Sequence, residues 1–147
     1  SGIQIIWQTG KFYIENARKD AEPYKSPALL VTDFVSRMDY AYAIADLVIS
    51  RAGASSISEL CLLSKPTILV PSPNVAEDHQ TQNALALVRK DAAVMIKDIE
   101  AKETLIIKAL ELIENDTELN KLSTNILKLA EKNSAERIAD EVVKLIS

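Results

Sequence analysis

The chain has 147 residues, which by length is one domain with enough material to bury a core. Its 17 basic and 21 acidic side chains leave a net charge of −4. That balance offers no basic field and disfavours nucleic acid as a partner. No apolar run approaches the roughly 20 residues of a membrane span, and no stretch reads as a signal peptide.

In chain order, Ile3–Gln8 is an apolar run closed by Thr9-Gly10 and predicts a strand, with Trp7 in the core. Lys11–Ala21 has helical amphipathicity and stops before Pro23. Pro27 precedes a second predicted strand, Ala28–Thr32, and Arg37–Ala45 reads as a short helix rich in Ala and Tyr. Leu47–Ser50 is the third predicted strand. Ser55–Ser64 follows as a helix with Ile57, Leu60, Cys61 and Ser64 on one face. Cys61 is the only cysteine, so it forms no internal disulfide and reads as a small buried hydrophobe in a reducing compartment. Lys65-Pro66 breaks the helix, Thr67–Pro71 predicts the fourth strand, and Ser72–Glu77 a loop. Asp78–Lys90 reads as a helix and Ala93–Ile96 as a short fifth strand.

These strands are short and continuously apolar, with helices between them. The pattern predicts an α/β fold with one parallel sheet of about five strands, covered on both faces. Ligands of such sheets bind outside the carboxyl ends of the strands. From residue 101 the pattern is helical only, with apolar stripes at Leu105, Ala109, Leu112 and Ile113, then at Leu119, Leu122, Ile126 and Leu129. A third stripe runs through Ala135, Ile138, Ala139, Val142 and Ile146. Asn115-x-x-Glu118 and Asn133-x-x-Glu136 have the spacing of capping boxes. The chain therefore divides, by pattern, into a sheet part over 1–97 and a helical part over 98–147.

Three segments fall after predicted strands. The first is Ser50-Arg51-Ala52-Gly53-Ala54-Ser55-Ser56-Ile57-Ser58-Glu59, which holds one of only three glycines. Glycine allows a tight turn and close approach of a ligand. The free N–H groups of the helix that follows suit a phosphate-like anion. On that reading the N–H groups of Ala54 to Ser56 hold a diphosphate. Glu59, which shares a helical face with Ser55, accepts from a ribose diol. The same letters also spell a capping box with Ser56 as cap and Glu59 reaching back. The second segment, Glu77-Asp78-His79-Gln80, carries the only histidine. Either Asp78 caps a helix and His79 is solvated, or His79 and Gln80 hydrogen-bond sugar hydroxyls. One histidine without a cysteine cluster leaves too few ligands for a metal, and no nucleophile stands at a useful spacing from it. The third segment, Thr32 to Met38, places Phe34 and Val35 either as an apolar wall for a base or as the start of the next core element.

Thr32-Asp33-Phe34-Val35-x-x-Met38, Ala45 through Ala54, Ser58-Glu59, Lys65-Pro66, Val70-Pro71 and Asp78-His79-Gln80-x-x-Asn83-Ala84 occur in one order and spacing. With Trp7-Gln8-Thr9-Gly10-Lys11 upstream, that order resembles the C-terminal half of the MurG glycosyltransferases. The likeness spans essentially the whole chain, with its specific part in residues 30–84. The resemblance implies the Rossmann-like C-terminal domain of a GT-B enzyme. Such an enzyme moves N-acetylglucosamine from UDP-GlcNAc to the muramyl 4-hydroxyl of undecaprenyl-pyrophosphoryl-N-acetylmuramoyl-pentapeptide, converting lipid I to lipid II at the cytoplasmic face of the bacterial inner membrane. It further implies that Val35 reads the uracil edge by its backbone with Phe34 beside it. By the same likeness Gly53, Ala54, Ser55 and Ser56 hold the diphosphate, Glu59 takes the ribose hydroxyls, and His79 and Gln80 hold the GlcNAc. Many members have Gln at the place of His79. No metal or cofactor is implied.

The family's acceptor domain, with its glycine-rich loop, candidate base and membrane-facing patch, has no counterpart here, nor has the first strand of the donor domain. The start at Ser1-Gly2 without a methionine fits a piece of a longer protein. The expectation is an incomplete donor half with no catalytic residue of its own, inactive alone and linked to lipid I and the membrane through the absent domain. The alternatives are a non-catalytic donor-binding subunit of a split glycosyltransferase, or another UDP-sugar transferase or epimerase of this architecture. With its central strand missing, the sheet is expected either to pair Ile3–Gln8 with Leu47–Ser50 or to be covered by a second copy of the chain.

Overall fold

The computed structural model describes residues 2–73, 78–131 and 144. The stripe from Ala135 to Ile146, the box at Asn133 and Glu77 lie outside them. The chain forms two compact units, Ser1–Ile44 and Ala45–Ser147.

In the first unit, β1 (Ile5–Gln8) pairs in parallel with β2 (Leu29–Thr32), Ile5 opposite Leu29 and Gln8 opposite Thr32. The crossover between them is α1 (Ile14–Ala21) and a 3-10 turn, Glu22–Tyr24, with Pro23 in its first positions. The helix starts three residues later than its amphipathic pattern. Gly10 adopts φ +78, a left-handed turn that glycine alone makes without strain, and Tyr13 N–H closes that turn on Gly10 O at 3.3 Å. A second helix, α2 (Met38–Ile44), leaves β2. Trp7 is not a core residue, being 43% exposed. Among the described residues β1 pairs with β2 alone, and alternate side chains of a strand face opposite ways. A two-stranded sheet with α1 packed along β2 does not cover both faces of β1.

In the second unit, β3 (Val48–Ser50), β4 (Thr67–Leu69) and β5 (Val94–Met95) form a parallel sheet in the order β3-β4-β5. The connecting helices are α3 (Ala54–Leu62) and α4 (His79–Val88), followed by α5 (Asp98–Ile113) and α6 (Asp116–Leu127). The middle strand is wholly buried. Ile68 and Val70 meet Ile96, Leu112 and Leu122, with Leu105 and Ala109 of the predicted α5 stripe packed against them. The one buried polar side chain in this strand, Thr67, donates its hydroxyl to Lys65 O at 2.8 Å, so burial leaves no group unpaired. Asn115 caps α6 as its spacing predicts, accepting from Glu118 N–H at 3.1 Å. Beyond α3, Ser64 turns at φ +54 and donates to Ser123 O of α6 at 2.9 Å.

The α/β class and the parallel pairing follow the sequence, but the single five-stranded sheet does not. The described strands form one sheet of two and another of three. In doubly wound folds each half grows outward from its own first strand, so α2 carries the chain from β2 to β3 without pairing them. Direct pairing of Ile3–Gln8 with Leu47–Ser50 is not among the ladders of the described residues, in which β1 and β3 are each an edge strand.

Candidate functional site

The first unit offers a loop at the carboxyl end of its two strands. The ladder continues past β2, with Thr9 N–H donating to Thr32 O and Gly10 N–H to Asp33 O, both at 3.0 Å. Thr32 Oγ1 donates to Phe34 O at 3.1 Å. Val35 N–H donates to Oε1 of the Gln8 side chain at 2.8 Å. Phe34 is 67% exposed, which excludes it from the core, and Val35 is half-buried. Beyond the loop Arg37 lies over the Tyr40 ring at 3.7 Å and pairs with Asp39 at 2.8 Å. The guanidinium holds the Asp39 carboxyl below its ordinary value. Both side chains are exposed, so this pair adds little stability.

The second unit carries the Gly53 segment. Gly53 is the N-cap of α3 at φ −68, ψ 144, and its side has no cap hydrogen bond to offer. The capping box at Ser56 is therefore not formed; Ser56 lies within the first turn and the helix starts earlier, at Ala54. Glycine is not needed for the backbone angle either, since any residue adopts it. A Cβ on Gly53 would meet only Ser56 Oγ, at 3.9 Å. What glycine leaves is open space in front of the helix. The first backbone bond of α3 runs from Ile57 N–H to Gly53 O at 3.0 Å, so the N–H groups of Ala54, Ser55 and Ser56 are the orphan donors of a helix N-terminus. Glu59 is exposed further along the same helix.

The residues before Gly53 are clamped from several directions. Ala52 is fully buried. Its N–H donates to Gln80 Oε1 at 3.2 Å and its carbonyl accepts from Asn83 Nδ2 at 3.1 Å. The same Gln80 oxygen accepts from Ser72 N–H at 2.8 Å. One side chain of α4 thus ties the loop after β3 to the loop after β4. Arg51 reaches Val70 O and Pro71 O at 3.3 and 3.4 Å and pairs with Asp98 at the start of α5. Asp78 precedes α4 at φ +54 and makes no side-chain cap, so the capping role read for it is not realised. A carboxylate acting as N-cap needs an extended backbone, and Asp78 is left-handed. His79 is exposed in the first turn of α4. Cys61 is 4% exposed on α3, and burial pushes its thiol up.

The structure therefore brings Gln80 to the residue next to Gly53, with His79 on the same helix, and places Phe34 and Val35 in the other unit's loop. Gln8, Arg51 and Asn83 were given no role from sequence. Asn83 stands i,i+3 from Gln80 and shares its helical face, and it is among the residues that carry the family resemblance, though that likeness gave it no role. The partner of Gln8 lies 27 residues away and those of Arg51 lie 19, 20 and 47 away, beyond any local pattern.

Parallel strands whose carboxyl-end loops meet a helix N-terminus are an α/β ligand-site geometry. Residues 1–142 match the family described as the glycosyltransferase family 28 C-terminal domain, and the chain belongs to it. Over 146 residues it is 60% identical to a protein of Parabacteroides distasonis and 63% to one of Phocaeicola vulgatus. Both are named UDP-N-acetylglucosamine–N-acetylmuramyl-(pentapeptide) pyrophosphoryl-undecaprenol N-acetylglucosamine transferase. These alignments take in 99% of this chain but only 40% and 39% of the relatives. The crystal structure of Acinetobacter baumannii MurG superposes with a TM-score of 0.82 at 26% identity, over 96% of this chain and 41% of that one.

Proposed function

We propose that this chain is the donor-binding half of a transferase that moves N-acetylglucosamine from UDP-GlcNAc to undecaprenyl-pyrophosphoryl-MurNAc-pentapeptide, the lipid I to lipid II step of peptidoglycan synthesis. The observation that carries the reading is the N-terminus of α3, held open by Gly53 and fixed by the Gln80–Asn83 clamp, in a chain whose relatives bear that name. Gly53, Ala54, Ser55 and Ser56 hold the diphosphate. As the acceptor hydroxyl attacks the anomeric carbon, the bond to UDP breaks. The α3 N–H groups then stabilise the charge that grows on the leaving phosphate. Glu59 takes the ribose hydroxyls, the Val35 backbone with Phe34 takes uracil, and His79 and the Gln80 amide take the sugar. Acceptor, proton acceptor and contact with the cytoplasmic face of the inner membrane belong to the other half of the enzyme. Among the described residues of this chain no helix is long and apolar enough to cross a membrane.

Two substitutions in the full-length protein test the reading. Glu59→Ala is expected to weaken UDP-GlcNAc by about 1–3 kcal/mol, the loss of a charge-assisted bond. A fall in melting temperature with donor affinity unchanged is the result expected of a purely structural role, so both are measured on the same variant. Gly53→Ala is expected to cost only about 0.5 kcal/mol of stability as a poorer N-cap. Its methyl takes the space in front of α3 and reduces donor affinity by about tenfold, or 1.4 kcal/mol. Calorimetric titration that finds both variants binding UDP-GlcNAc like the parent would sink the proposal.

A further inference from the structure

The Val35 N–H has a single proton, and the side chain of Gln8 holds it at 2.8 Å. The neighbouring N–H rungs between these segments end on backbone carbonyls: Thr9 N–H on Thr32 O, Gly10 N–H on Asp33 O. At Val35 the ladder has run out, because Gly10 turns the first strand away at φ +78, and a carboxamide oxygen stands in for the missing carbonyl. The orientation of that carboxamide is settled by chemistry, since an N–H needs an acceptor and the NH₂ group is none. The bond is exposed to solvent, at the strand end where ligands of parallel sheets bind. A ring carbonyl of a pyrimidine presents the same kind of acceptor as the Gln8 amide.

Resting on the reading of Val35 as the residue that meets the base, we propose that Gln8 is an affinity-setting residue of the site. Its side-chain oxygen competes with a uracil carbonyl for the Val35 N–H, and the nucleotide binds by displacing it. Without nucleotide Gln8 Oε1 accepts from the Val35 N–H; when the base arrives, the same N–H donates to the ligand instead. Nucleotide affinity is accordingly lower than the contacts alone would allow, by the worth of one exposed hydrogen bond.

The test is a series at one position in the full-length protein, titrated with UDP and, as a ligand without a base, with inorganic pyrophosphate. Gln8→Met keeps the length of the side chain and removes the strong acceptor, and is expected to bind UDP about three- to tenfold more tightly. Gln8→Glu holds the N–H by a charge-assisted bond and is expected to bind UDP more weakly by a similar factor. Pyrophosphate affinity should separate the methionine variant from the parent by less than twofold. A residue that merely anchors the loop gives the reverse order, with glutamate equal to glutamine and methionine weakest. That order, or equal affinities across the series, overturns the proposal. The Val35 amide resonance provides a second readout. It should move on UDP addition in the parent, and in the methionine variant it should start from the frequency of a solvent-bonded amide. If the parent itself binds no UDP, the functional reading fails and this inference goes with it; if the parent binds and the order is reversed, only this inference fails.

Discussion

Gln80→Ala is expected to destabilise the second unit by about 2–4 kcal/mol. Truncation leaves the N–H of the fully buried Ala52 without the Gln80 oxygen that it reaches at 3.2 Å, and an unmet buried donor costs about 1–3 kcal/mol. Ser72 N–H loses the same acceptor at 2.8 Å, worth about 1 kcal/mol more. Gln80→Glu separates scaffold from ligand. A carboxylate accepts both bonds as well as the amide does, but it has no N–H to offer. Urea denaturation should therefore find the glutamate variant close to the parent and the alanine variant far below it. On the proposed reading, in which the Gln80 amide N–H meets the sugar, donor turnover in the full-length enzyme should fall in both. An alanine variant as stable as the parent would mean that the clamp carries no energy.

Ile68→Ala is expected to cost about 2–5 kcal/mol and to lower the melting temperature by about 6–15 °C. Ile68 is fully buried in β4 against Val70, Ile96, Leu112 and Leu122. Removing three methyl(ene) groups there leaves a cavity on a strand hydrogen-bonded on both sides. Ile6→Ala, in the half-exposed β1, provides the contrast and should cost under about 1.5 kcal/mol. Equal losses in differential scanning calorimetry would contradict the burial difference.

The two isoleucines also show what a sequence conveys. Ile6 and Ile68 sit in similar apolar runs, and nothing in either run says that one strand is sandwiched while the other is bare. Strand burial depends on how many layers arrive, which is decided by distant segments. Local signals fared better. The Asn115 box formed because it depends on a side chain meeting an amide three residues on. The Ser56 box failed although its spacing is the same. The chain leaves β3 in an extended conformation that ends at Gly53, and the helix begins as soon as the backbone permits. The positions of Gly53, Val35 and Gln80 after parallel strands were legible, because a strand–helix alternation dictates which end the loops occupy. The bonds from Gln8 to Val35 and from Arg51 to Asp98 were not, because each joins segments that only tertiary structure brings together.

Cys61 gives the molecule a built-in clock. It is the chain's only thiol, it is buried on the helix whose first turn carries the open amides, and burial raises the pH at which it ionises. Since the thiolate is the form that reacts, a disulfide reagent reaches it through openings of α3 rather than from the folded state. The rate of labelling, divided by that of an unstructured thiol, reports the free energy of those openings. In this 147-residue chain taken by itself, a single absorbance trace then follows how firmly the helix is seated, without a probe being introduced. Anything that braces the front of α3 should slow it.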